Sequence, residues 1–182
     1  MSLKPLYVLA PYAAATAVLA CAPASAQQMV SYTEDKLPYT VSLPASWYGI
    51  QIEGPAGVNL SPVQKPPFQP LIRLTYIPKV EAINTASKAT AAFEQEMSAG
   101  GAVKVRQLGS KAATYGNVPG LETEYALSAA DPKKGSGEMR VRLWMGIGAK
   151  NVYAFQLLDK PATYAANRDK VFTPILKSVK FK

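Results

Sequence analysis

Glu138-Met-Arg-Val-Arg-Leu-Trp-Met-Gly-Ile147, Gly148-Ala-Lys150 and Asn151-Val-Tyr-Ala-Phe-Gln-Leu-Leu158 decide how this chain folds. Two short runs rich in apolar, β-branched and aromatic residues flank three residues of turn chemistry, so they read as neighbouring antiparallel strands. Period two places Arg140, Arg142 and Trp144 on one face of the first strand. Met139, Val141, Leu143 and Met145 take the other.

The same grammar extends upstream. Asp131-Pro-Lys-Lys-Gly-Ser-Gly137 is a hairpin loop, and Leu121 to Ala129 is a strand whose Glu122 and Glu124 oppose Leu121, Thr123 and Tyr125. Gly116-Asn-Val-Pro-Gly120 is turn chemistry, preceded by strand segments Val103–Leu108 and Ala112–Tyr115. Before these, Asn84 to Ala99 reads as a helix. Asn84 or Thr85 caps it, Ala86, Ala89, Ala92, Phe93 and Met97 form its apolar face, and Gly100-Gly101 stops it. Nearer the N-terminus the expected strands are 29–33, 38–43, 48–53, 58–63 and 71–77. Lys65-Pro-Pro-Phe-Gln-Pro70 cannot be regular structure, because three prolines remove backbone donors.

From Pro161 the period returns to that of a helix, with Tyr164, Val171, Phe172, Ile175, Leu176 and Val179 on one face. Pro174 would cost about 3 kcal/mol inside a regular helix. The expectation is therefore a kinked or two-part helix restarted by Thr173 as N-cap, then a short tail. The order strands, helix, strands, helix implies an α+β domain, an antiparallel sheet flanked by helices.

The first 26 residues read as an export signal: Lys4, an apolar run from Leu6 to Ala22, then Ala24-Ser25-Ala26, with cleavage expected between Ala26 and Gln27. Pro5 and Pro11 argue against a retained membrane span. A rival site, Val18-Leu-Ala-Cys21, resembles a lipobox, and lipidation of Cys21 would anchor the protein to a membrane. The expectation is a periplasmic protein, or alternatively a lipoprotein facing that compartment, whose residues 27–182 form a single domain.

Composition narrows the chemistry. The chain carries 20 Lys and Arg against 12 Asp and Glu, and removing Lys4 leaves 19 against 12, a net charge of +7. That favours acidic partners over long range. The sequence has no histidine, and its one cysteine is Cys21 in the leader. Ser-His-Asp and Cys-His catalysis and histidine-held metals are excluded, so the expectation is no enzyme and no cofactor.

Tyr39-Thr-Val-Ser-Leu-Pro44 followed by Trp47, the alanine-rich helix at 86–97, Gly116-Asn-Val-Pro-Gly-Leu121 and Val171-Phe-Thr-Pro-Ile-Leu-Lys-Ser-Val-Lys-Phe181 together resemble the PsbP-like group. That group includes a photosystem II accessory protein, the Mog nuclear-import factors and DcrB-like bacterial domains. The resemblance spans nearly the whole chain after the leader. It implies an α/β/α sandwich around an antiparallel sheet and a binding, assembly or accessory role, with no catalytic set to carry over.

The candidate interaction surface is Arg140, Arg142 and Trp144, extended by Lys133 and Lys134 in the adjoining loop. The competing reading is a solvated strand face with Glu122 and Glu124 as cross-strand partners of the arginines. Phe68 could dock a partner from its proline-rich loop, or fold onto the sheet edge. Glu122 and Glu124 lack any supporting cleft for acid–base work. A protein partner, acidic in character, is expected, as an immunity or inhibitor protein would have. The alternative is carriage of a small hydrophobic or anionic ligand between sheet and helix. Nucleic acid is not an expected partner, because no basic helix is present.

Overall fold

The computed structural model describes residues 27–99, 101–130 and 137–182. Seven strands form one antiparallel sheet: β3 (Tyr48–Gly49), β4 (Gly57–Ser61), β5 (Leu71–Pro78), β6 (Val103–Tyr115), β7 (Val118–Ala129), β8 (Met139–Ile147) and β9 (Asn151–Asp159). Their spatial order is β3-β4-β5-β9-β8-β7-β6. The meander β6 to β9 is built of local hairpins. Gly116 and Asn117 turn the first of them, with φ of 52° and 68°, the left-handed pair that a two-residue hairpin turn requires.

The join between β5 and β9 is not local. Helix α1 (Ala86–Ser98) carries the chain across one face from β5 to the far edge, and the meander then returns until β9 pairs with β5. Thr85 caps α1, its hydroxyl accepting from the Lys88 N–H at 3.2 Å. Under α1 lies a core of Ala89, Tyr125, Val141, Leu143, Met145 and Val152.

The opposite face carries the larger core. Trp144, Tyr153, Phe155 and Leu157 of the sheet pack there against Tyr39, Val41 and Leu43, and against Tyr164, Phe172, Ile175 and Leu176. The covering layer mixes types. Helix α2 (Pro161–Asn167), a π-helical segment (Arg168–Phe172) and α3 (Thr173–Ser178) lie beside a small sheet of β1 (Met29–Tyr32), β2 (Tyr39–Pro44) and β10 (Lys180–Phe181). The fold is thus sheet-dominated, and the expected helix-flanked sandwich describes it only in part.

Three local expectations need correction. The strand expected at 48–53 is only Tyr48–Gly49. The two segments at 103–108 and 112–115 are one strand, whose pairing with β7 slips between Gln107 and Gly109, so Leu108 is the bulged residue. Thr173 is not an N-cap. It lies within continuous helical backbone, and its N–H donates to Arg168 O five residues back. One widened turn absorbs the missing donor of Pro174 without breaking the helix.

Candidate functional site

Two of the residues expected to make a basic surface, Arg142 and Trp144, are inside. Trp144 has no solvent exposure and Arg142 is 6% exposed. The expected cationic face of β8 is therefore a buried interface with the C-terminal helices, because both faces of a central strand are covered here. Gly120 and Gly146 are register partners on β7 and β8. The Trp144 indole lies so close over both that a Cβ at either would meet the ring. Its Nε1–H donates to Ala113 O at 3.1 Å.

Arg142 is held by neighbours from three elements. Its Nη2 donates to Glu122 Oε2 at 2.6 Å and to Tyr115 Oη at 3.3 Å, and its Nη1 donates to Thr173 Oγ1 at 2.6 Å. Tyr115 in turn donates to Glu122 at 2.8 Å, and Thr173 donates to Arg168 O at 2.8 Å. Every proton in this network has one direction, so β6, β7, β8 and the first residue of α3 are cross-linked by one buried guanidinium. Burial opposes ionisation of Glu122, yet the hydrogen bonds from Arg142 and Tyr115 and the charge of Arg142 outweigh it. The carboxyl is held below its ordinary value. Burial first, then the bond to Glu122, pushes the Tyr115 phenol up to about 12.

Glu124 pairs with Arg168 at 3.4 Å. The two glutamates thus serve as partners of arginines, though Arg142 is not solvated as the surface reading required. Glu122 is buried among these bonds, and Glu124 is half-buried beside Arg168. Arg140 is part-exposed and pairs with Glu138 at 2.8 Å, which also lies 3.8 Å from Arg106. Phe68 is half-buried in its loop. Lys133, Lys134, Ala26 and Cys21 lie outside the described residues, while Gln27 opens them.

Two surface features stand out that the strand pattern did not reveal. The first is the outer edge of β6, which ends the seven-stranded sheet with no strand beyond it among the described residues. Its 13 residues are exposed over nearly their whole length. They include Lys104, Arg106 and Lys111 and no acid, with Val103 and Leu108 more than one-third exposed.

The second is a cleft of about 290 Å³ between α1 and the sheet. It exists because α1 presents Ala89 and Ala92 there, which are too short to fill the space above Thr75, Ala154 and Gln156. Met145, Val152 and Phe93 give it an apolar interior, whereas Arg73, Glu53 and Glu96 give it charge. Phe155 takes no part in it, because that ring belongs to the core on the opposite face. Among the described residues no helix is long and apolar enough to cross a membrane.

No protein-family model matches the chain, and no curated protein matches it. Solved structures do. Cyanobacterial PsbP from Synechocystis superposes with a TM-score of 0.64 at 12% identity, covering 91% of this chain and 99% of that one. A protein from Bacteroides thetaiotaomicron gives 0.49 at 10% identity over 80% of this chain and 45% of its own. A Pseudomonas aeruginosa protein of unknown function gives 0.44 at 11% identity, over 78% and 89%. The match to PsbP spans both chains almost end to end, and at that identity it speaks for the fold alone.

Proposed function

With the PsbP-like fold as premise, we propose that this is a non-enzymatic accessory protein of the periplasm that binds a protein partner along the outer edge of β6. The observation that carries the reading is that long, exposed, basic edge. An unpaired strand edge recruits an extended segment by adding a strand, with backbone bonds giving affinity and side chains giving selectivity. Lys104, with Arg106 beside Glu138 and Lys111 3.3 Å from Glu122, leaves an excess of positive charge on the strand that favours an acidic segment. The same charges repel a second copy of this edge, so self-pairing is disfavoured. An immunity or inhibitor protein blocking an exported toxin is the specific form we infer for such an edge. The commitment of Glu122 and Glu124 to arginines supports a role without catalysis.

Affinity capture from an envelope extract tests this. The wild-type protein should recover a protein partner that slows amide exchange along β6. The variant Lys104→Glu, Arg106→Glu, which leaves the Lys111–Glu122 pair intact, should lose it. Retention of the partner by that variant, or recovery of a small molecule and no protein, overturns the reading. Carriage of a small ligand is the second reading, and the cleft under α1 is the observation that favours it.

A further inference from the structure

We propose that the cleft under α1 binds a small zwitterion bearing an apolar side group, of the size and chemistry of a free apolar amino acid. This rests on the carrier reading and gives it a ligand class. Size comes first. A space of about 290 Å³ lies at the bottom of the range for small-molecule sites, roughly 300 to 1,000 Å³. It is too small to bury a long acyl chain.

Charge comes second. Arg73 stands on β5, between Asn59 of β4 and Gln156 of β9. Its Nε donates to Asn59 Oδ1 at 3.2 Å, which fixes the guanidinium plane. Its Nη2 lies beside Gly54, where a Cβ would stand 3.2 Å away. Among the described residues the guanidinium makes no ion pair, although Glu53 and Glu96 line the same cleft. Arg73 on the sheet, Glu53 before β4 and Glu96 on α1 therefore line one cleft without closing on each other.

A simple anion would meet Arg73 but also two carboxylates, and a simple cation would meet the reverse. A ligand carrying both charges satisfies the set: its carboxylate takes the free N–H donors of Arg73, and its ammonium faces Glu53 and Glu96. Its side group lies toward Phe93, Met145 and Val152.

Calorimetric titration of the processed protein with leucine, N-acetyl-leucine and leucine methyl ester separates the alternatives. Leucine should bind at least about tenfold more tightly than either singly charged derivative. Arg73→Gln should abolish that preference over the ester. Ala92→Leu, which fills the cleft from an exposed helix position, should abolish binding with the circular dichroism spectrum unchanged. Equal or tighter binding of N-acetyl-leucine or of the ester overturns the zwitterion class while leaving a small-ligand carrier standing. Binding that survives Ala92→Leu, or the absence of binding by all three probes, overturns the cleft as the site and the carrier reading with it.

Discussion

At the scale of single residues, the indole of Trp144 and the guanidinium of Arg142 show how a side chain can be polar in type and interior in place. Trp144 is admitted to the core by the absence of side chains at Gly120 and Gly146. Gly146→Ala should displace the ring and destabilise the protein by about 1 to 3 kcal/mol, the usual cost of overpacking. Urea unfolding with tryptophan fluorescence reads both effects.

Arg142 is a case where removing one partner costs more than the pair contributes. Glu122→Ala leaves a buried cation and should cost about 3 to 5 kcal/mol. Glu122 also sets an acid limb. Its folded carboxyl titrates below the ordinary value of 4.5, so the unfolded chain takes up the proton first as pH falls. The contribution is whole above that ordinary value and is lost as pH drops through the folded one. Glu122→Gln should therefore lower stability at neutral pH and flatten the dependence on pH below about 5.

At the scale of elements, the C-terminal helix is joined to the sheet through its widened turn. Thr173 accepts from Arg142 and donates to Arg168 O, so one hydroxyl serves both the sheet and the π-helical segment. Thr173→Val keeps the shape and removes the hydroxyl. It should cost about 1 to 3 kcal/mol by leaving a buried donor unpaired. The denaturation midpoint should fall with its slope unchanged. Helix α1 makes the contrasting choice. Only Ala89 and Thr90 are buried in it, and that shallow seat is what leaves the cleft open.

At the scale of the whole molecule, two cores on opposite faces of one sheet hold most of the tyrosines in place. Burial above all keeps the phenols of Tyr39, Tyr125 and Tyr164 protonated well past their ordinary value of 10, while Tyr115 titrates at about 12. Folded values lie above unfolded ones, so the stability these groups contribute is whole below pH 10 and is lost as pH rises through each folded value, about 12 for Tyr115. The native protein should show delayed tyrosinate absorbance in an alkaline titration, with a single cooperative rise where it unfolds. A smooth titration of every tyrosine near 10 would contradict the packing described.

Most strand positions, the helix at 86–98, the hairpin turn at Gly116–Asn117 and the helical period of the C-terminal segment were legible in the sequence, though not the unbroken passage of that helix through Thr173. Each depends on periodicity, capping or turn chemistry within a few residues. The covering of β8 was not legible. Alternation along a strand separates two faces but does not say which is dry, and Arg140, Arg142 and Trp144 look like a wet face when only their types are read. The register pair Gly120 and Gly146 was the one local sign that a large ring lies over that sheet.

The sequence by itself thus determined an antiparallel α+β order and a basic chain without histidine, because these are local or compositional properties. Tertiary structure alone decided that Arg142 is a buried cross-link, that β6 is an open edge, and that α1 stands off the sheet far enough to leave a cleft. Each of those depends on which distant segment covers which face: the helices over Arg142 follow β8 and β9 in the chain, whereas α1 over the cleft precedes them.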